Sequence, residues 1–238
     1  MRHNLLAEVL NDIPVEVNGI LDAKINKSLR VLITGSSGVI GIASFKYLTS
    51  LRIYHEGLLH IDCVCKNLDE FNQIFFSGKN ITLKTFDLTS KDCSTLSDSY
   101  DVILNCAGYG QPGKFLDDFQ SVFYLNTQLV SELLNRLSPE GYFLNVGTSE
   151  VYSSAGYHDT VETANISVNP NNSRNTYILA KLSAEAILER HARSYPDSTV
   201  LSARVALAYG PGSKENDSRV MYQFFRQASS GGGIKMLD

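Results

Sequence analysis

Residues 31–41 read VLITGSSGVIG, and the three glycines within them decide the fold. The run LRVLIT (29–34) is apolar and rich in branched side chains, the composition of a buried strand, and the segment 39–50 follows in a helical pattern. Gly35 permits a tight reversal, Gly38 lets the backbone approach a ligand, and Gly41 lets a helix pack on a sheet. In that strand–turn–helix arrangement, free backbone N–H groups and the helix dipole favour a diphosphate. Gly35, Ser36, Ser37, Gly38, Val39, Ile40 and Gly41 are therefore candidate dinucleotide-binding residues. Glycine triplets alone are weak evidence; the structural context gives this one its weight.

Outward from this turn, strand-like runs alternate with helical ones. LLHIDCVC (58–65), ITLKTF (81–86), DVILNCA (101–107), GYFLNVG (141–147) and TVLSARVA (199–206) read as further strands. Most are continuously apolar, as strands buried on both faces must be. Helical patterns occupy 39–50, 115–137 and 176–194. The alternation predicts an α/β fold, a doubly wound parallel sheet of the Rossmann type, with ligands held outside the carboxyl ends of the strands. Residues 29–206 are read as the dinucleotide-binding domain. Residues 1–28 are read as an N-terminal helical extension with an apolar stripe at Leu5, Leu6, Val9, Leu10 and Ile13, closed by Pro14.

Composition narrows the function. The 238 residues are 43% hydrophobic and 19% charged, an ordinary globular balance. A net charge of −4 with no Lys/Arg block argues against a nucleic-acid or anionic-membrane surface. No run approaches the roughly 18 apolar residues of a membrane helix, and the N-terminus is a poor signal peptide. The four cysteines, Cys63, Cys65, Cys93 and Cys106, form neither a metal pattern nor a disulfide framework, so reduced thiols, no metal and a cytoplasmic location are expected.

Several groups follow the glycine turn in the order a cofactor site requires. The second strand ends at Cys65-Lys66-Asn67, with no acid at its tip to grip a ribose hydroxyl. Lys66 is placed either to meet the extra phosphate of NADP or simply to be solvated. Asp87 and Leu88 in FDLTS are candidates at the adenine, and Cys106, Ala107 and Gly108 at the cofactor's crossing of the sheet edge. The stretch GTSEVYSS (147–154) ends the fifth strand with hydroxyls and a carboxylate; the residues alone fit a turn as well as a reactive cleft. In NTYILAK, Tyr177 and Lys181 stand four apart on one helical face. An ammonium beside a phenol stabilises phenolate, so the tyrosine's pKa is expected to fall toward working pH and its hydroxyl to act in proton transfer while hydride moves. Tyr109 and Gln111, in the Gly/Pro-rich YGQPGKF, would wall a substrate cleft. Arg204 and Arg219 would hold a sugar or diphosphate with a guanidinium fork, a structural ion pair being the equal alternative for each.

Gly35-x-x-Gly38-x-x-Gly41, Asp87, Asn105-Cys-Ala-Gly108, Asn126, residues 148–152, Tyr177-x-x-x-Lys181 and ARVALAYGPG (203–212) occur in an order that resembles the extended short-chain dehydrogenases/reductases. Within them the chain is similar to the nucleotide-sugar epimerases, dehydratases and decarboxylases over residues 29–238. The resemblance implies a retained NAD, with NADP open, and a nucleotide-sugar substrate. Thr148, Ser149, Glu150, Tyr177 and Lys181 are then the catalytic set. Thr148-Ser149-Glu150 looks like the triplet of UDP-glucuronate decarboxylases; the Asp that dehydratases use is absent, and 4-epimerases usually lack the Glu. A homodimer through the helices at 115–137 and 176–194 is likewise implied. Relatives continue well past GGGIKMLD, so residues 207–238 are expected to begin a small, incomplete C-terminal substrate lobe.

Overall fold

The computed structural model describes residues 27–67, 76–90, 93–110, 116–153, 161–210, 212–213, 217, 219–231 and 233–234. The apolar stripe of the expected N-terminal extension and Gln111 lie outside them.

Six parallel strands form one sheet in the order β3-β2-β1-β4-β5-β6. They are β1 (Leu29–Thr34), β2 (Leu59–Cys65), β3 (Ile81–Thr85), β4 (Tyr100–Asn105), β5 (Leu137–Val146) and β6 (Thr199–Ala203). The helices are α1 (Val39–Ser50), α2 (Arg52–His55), α3 (Phe119–Asn126), α4 (Gln128–Leu134), α5 (Asn175–Ser194) and α6 (Val220–Ser229). The strand order reverses between β1 and β4, so their carboxyl ends part to leave a crevice, as the doubly wound reading requires.

Alternation along each strand assigns its two faces. Leu32, Val64, Ile103 and Phe143 meet Leu125, Leu129, Leu133 and Leu188 from α3, α4 and α5. Val31, Ile33, Ile61 and Cys63 meet Ile42 and Phe45 of α1 and Ile53 of α2. Cover on this second face runs out toward β5 and β6, where Tyr142 and Leu201 are each 59% exposed. At the carboxyl ends the Thr34 hydroxyl donates to Asn105 Oδ1 (2.7 Å), and the Asn105 amide donates to Asn145 Oδ1 (2.9 Å). These buried bonds align β1, β4 and β5 beneath the crevice.

Strand β6 ends at Ala203 rather than the expected 206, helices α2 and α6 lie outside the expected elements, and two further departures have a visible local cause. The single helix expected over 115–137 is two, α3 and α4, parted at Thr127. There the Asn126 amide donates to the Val122 carbonyl (2.8 Å) and the Thr127 hydroxyl to that of Phe123 (2.6 Å), and such back-bonding disrupts the helical ladder. Strand β5 also starts four residues before the expected 141, at Leu137. Its pairing with β4 shifts register between Tyr100 and Val102, and that irregularity accommodates Pro139.

A buried polar knot joins β2 to β4. The Tyr100 hydroxyl donates to Asp62 Oδ2 (2.7 Å) and accepts from the Ser97 N–H (3.0 Å), with Lys84 Nζ 3.8 Å from the same carboxylate oxygen. Tyr100→Phe leaves that carboxylate short of a donor. The variant is expected to lose about 1–3 kcal/mol of stability, read as a lower urea midpoint at unchanged m-value.

Candidate active site

A cleft of about 340 Å³ opens at the carboxyl ends of β1, β2, β4 and β5. Its floor is the glycine turn. Gly35 has a φ of +61°, and a Cβ there would lie 2.6 Å from the Cys106 carbonyl oxygen, so only glycine lets β1 pass this close to the end of β4. A Cβ on Gly41 would collide with the Gly35 carbonyl and with Ser36. Gly38 is the N-cap of α1 and contributes no side-chain cap, and the first turn holds no acidic residue. The N–H groups opening α1 are thus left without a side-chain acceptor, and Ser37, Gly38, Val39, Ile40 and Gly41 line the cleft. That donor set, at the positive end of a helix dipole, fits a diphosphate. Ser36 does not line the cleft; it is fully buried, and its hydroxyl donates to the Val64 carbonyl (3.0 Å), tying the turn to β2.

Around this floor stand Lys66, Asp87 and Leu88 on one side and Cys106, Ala107, Gly108 and Tyr109 on the other. Lys66 Nζ lies 2.6 Å from Asp87 Oδ2, while Asp87 Oδ1 accepts from the N–H and hydroxyl of Thr89. Burial pushes the Asp87 carboxyl up, but the bonds from Lys66 and Thr89 outweigh it and leave its pKa below the ordinary value. Phe86, Thr89, Ala208, Gly212, Ser213 and Asp217 also line the cleft. Sequence reasoning did not single them out as ligand contacts: Phe86 and Thr89 lie within FDLTS, Ala208 and Gly212 within ARVALAYGPG, and Ser213 and Asp217 in a connecting segment without periodicity.

Strand β5 and helix α5 bring Thr148, Tyr177 and Lys181 together. Tyr177 and Lys181 share the face of α5 that lines the cleft, and the Lys181 ammonium donates to the carbonyl of Val146, the last residue of β5, at 2.7 Å. Two residues on, Thr148 Oγ1 accepts from the Glu150 N–H (3.2 Å), leaving its proton for the hydrogen bond it shares with the Tyr177 hydroxyl. Ser149 and Glu150 follow on a 3-10 turn (Ser149–Tyr152) and do not line the cleft.

The electrostatics reverse one expectation. The phenol of Tyr177 is not lowered but raised above its ordinary pKa: burial pushes it up, the Thr148 bond partly offsets this, and the charge of Glu150 adds to the rise. The Lys181 ammonium, 5.8 Å from the centre of the Tyr177 ring and committed to Val146, does not reverse that balance. Burial lowers Lys181 itself from 10.5 to about 8.

The two arginines divide. Arg219 lines the cleft, its guanidinium held by Asp217 (2.7 Å) and by the Ala208 carbonyl (3.0 Å). Arg204 stands outside it. Its fork is taken by Glu185, with Nε to Oε1 at 3.0 Å and Nη2 to Oε2 at 2.8 Å, so the ion-pair alternative is the one observed. Among the described residues no cluster of three or more His, Cys, Asp or Glu could hold a metal, and no helix is long and apolar enough to cross a membrane.

Residues 31–238 match the model of the NAD dependent epimerase/dehydratase family. The chain belongs to that family. It is 28% identical over 205 residues to UDP-glucuronic acid decarboxylase 2 of Arabidopsis thaliana, a span covering 85% of this chain and 44% of that protein. Among solved structures it is similar to a UDP-N-acetylglucosamine 4-epimerase from Methanobrevibacter ruminantium, with a TM-score of 0.69 at 18% identity over 87% of this chain and 64% of the other. A dTDP-glucose 4,6-dehydratase from Streptomyces venezuelae, solved with NAD, gives a TM-score of 0.65 at 18% identity, with coverage of 87% and 64%. The chain thus spans less than two thirds of the length of these family members, and the structural likenesses speak for the fold.

The depressed ammonium has a measurable signature. Between pH 8 and 10.5 the folded chain has lost the Lys181 proton while the unfolded chain still holds it, so stability gained from this group rises with pH across that window. The stability of wild type minus that of Lys181→Met is expected to grow by roughly 3 kcal/mol from pH 8 to 10.5 in urea titrations.

Proposed function

We propose that the chain uses a retained NAD(P) to oxidise the 4-hydroxyl of a nucleotide sugar, and that its preferred substrate is a UDP-glucuronate-like uronic acid that then loses carbon dioxide. The observation that carries the oxidation is that Tyr177 and Lys181 share one cleft wall, with buried Thr148 hydrogen-bonded to the Tyr177 hydroxyl behind it. When bound, the nicotinamide cofactor supplies a hydride acceptor and donor. The glycine turn and the N-terminus of α1 hold its diphosphate, Asp87 and Leu88 stand at its adenosine end, and Lys66 suits either cofactor. Cys106, Ala107 and Gly108 give small groups where it crosses the sheet.

Tyr177, as the phenolate left once its own proton has passed to solvent, receives the proton of the sugar hydroxyl, with Thr148 donating to its oxygen and Lys181 supplying nearby positive charge. The 4-ketone so formed is β to the carboxylate and accepts the electron pair as carbon dioxide leaves. Ser149 and Glu150 orient the carboxylate or return a proton to the carbanion, and hydride return completes a pentose nucleotide. Tyr109, Gln111 and Arg219 are assigned to the substrate. Residues 207–238 are assigned to the start of its lobe, against a dinucleotide domain over 29–206, in a homodimer formed through α3, α4 and α5. The triplet Thr148-Ser149-Glu150 and the match to a plant decarboxylase support loss of carbon dioxide.

The placement of Ser149 and Glu150 off the cleft wall favours a second reading, reversible oxidation at C4 without decarboxylation, as in a 4-epimerase or 4-ketoreductase. Mass spectrometry of UDP-glucuronate and UDP-glucose after incubation separates the two. Carbon dioxide loss from UDP-glucuronate is expected, and Tyr177→Phe is expected to slow it roughly 10²–10⁴-fold. Epimerised UDP-glucose without decarboxylation would favour the second reading. Cofactor binding without turnover of either would mark a non-catalytic module.

A further inference from the structure

The geometry points to Arg204 as a positioning residue that holds the Ser149–Tyr152 turn against α5 and so fixes Glu150 relative to Thr148 and Tyr177. This rests on the proposed role of Tyr177.

Arg204 follows the last residue of β6, and its guanidinium reaches three separate pieces of chain. Beyond the two bonds to Glu185 on α5, Nη1 donates to the Tyr152 hydroxyl (2.6 Å) and to the Glu162 carbonyl (3.0 Å). The guanidinium carbon also lies 5.0 Å from the centre of the Tyr152 ring. Arg204 and Glu185 side chains are each 19% exposed, so this fork–fork pair is shielded and directional, unlike a solvated surface pair.

What the guanidinium joins matters more than how tightly. Glu185 stands four residues after Lys181 and eight after Tyr177, on the face of α5 that carries them. Tyr152 closes the turn whose start carries Thr148, Ser149 and Glu150. The front of the turn is pinned independently by backbone bonds, Gly147 N–H to the Ala203 carbonyl (2.7 Å) and Ser149 N–H to that of Val205 (3.0 Å). Loss of the Arg204 side chain therefore frees the Tyr152 end to pivot on Ser149 while the sheet stays paired. Glu150 lies between pivot and free end.

Tyr177 responds to the group such a pivot would move, since the charge of Glu150 raises its proton affinity, while Thr148, held between Gly147 and Ser149, stays in place. The other titratable groups around it are Lys181 on its own helix, Cys106 beyond Lys181, and Tyr109 from the end of β4. Of these only Lys181 shares a helix with Glu185, and it is held separately by the Val146 carbonyl, so a shifted pH response reports the turn.

The test compares wild type, Arg204→Met, Tyr152→Phe and Tyr177→Phe on whichever of UDP-glucuronate and UDP-glucose turns over. Readouts are kcat and KM against pH, NADH affinity by fluorescence, and thermal melting. Arg204→Met is expected to lower kcat roughly 10–100-fold and to shift the pH midpoint of kcat, with NADH affinity unchanged. Tyr152→Phe, which keeps the ring and the fold, is expected to shift the midpoint the same way by less. If both variants keep the wild-type kcat and pH midpoint and only melt earlier, the arginine is a structural tie and the inference is overturned. A Tyr177→Phe protein that still turns over would instead overturn the reading of Tyr177 on which it rests.

Discussion

The cleft depends on one costly interaction, the buried ammonium of Lys181 held by the carbonyl of Val146. The side chain is 5% exposed, and its fall from 10.5 to about 8 corresponds to roughly 3 kcal/mol set against the charged form. A buried charge is tolerated only where the fold supplies a partner, and here that partner is the last backbone acceptor of β5. The bond ties the middle of α5 to the end of a strand. Helical spacing then places Tyr177 one turn earlier on the same face, and the chain leaving β5 reaches Thr148 two residues later. The register between phenol and threonine hydroxyl thus follows from where the ammonium is anchored.

The glycine turn solves the complementary problem of bringing backbone rather than side chains to the cleft. With Gly35 against the Cys106 carbonyl and Gly41 against Gly35, α1 begins directly under the crevice, its first N–H groups uncapped. The segment after β6 returns over this point. A Cβ on Gly212 (φ +93°) would fall 2.6 Å from the Ile42 side chain and 3.1 Å from the Gly38 carbonyl carbon. The cleft is therefore lined both by the glycine turn after β1 and by the segment after β6, with Arg219 and Asp217 beside them.

How much of this was legible in sequence follows the range of the interactions involved. The glycine turn, the Tyr177/Lys181 pair and the strands themselves announce their places because each is a local pattern of one turn or one strand. The break at Thr127 was less visible, since an apolar stripe continues across it and only the back-bonding of Asn126 and Thr127 interrupts the helix. Strand β5 starts earlier than its apolar run, with Pro139 accommodated by an irregularity in its pairing with β4. The partner of Arg204 could not be read at all, because Glu185 lies 19 residues away and meets it only through tertiary packing. The direction of the Tyr177 shift was misjudged for the same reason: spacing shows which charge is near, but burial decides which effect wins.

That reversal bears on how the proton transfer proposed for Tyr177 would be controlled. In water a phenol near 10 and an ammonium near 10.4 lose their protons at almost the same pH. In this chain burial moves them apart, the phenol up and the ammonium down to about 8, so that at neutral pH Tyr177 is a neutral phenol beside a still-charged lysine. The chain places charges of opposite sign around the phenol, Lys181 on one side and Glu150 on the other, and neither alone makes it a standing base. Its proton is retained until the charge in the cleft changes. A site so balanced responds to small displacements of either group, which is why the elements carrying them, α5 and the turn after β5, need to be tied to each other as well as to the sheet.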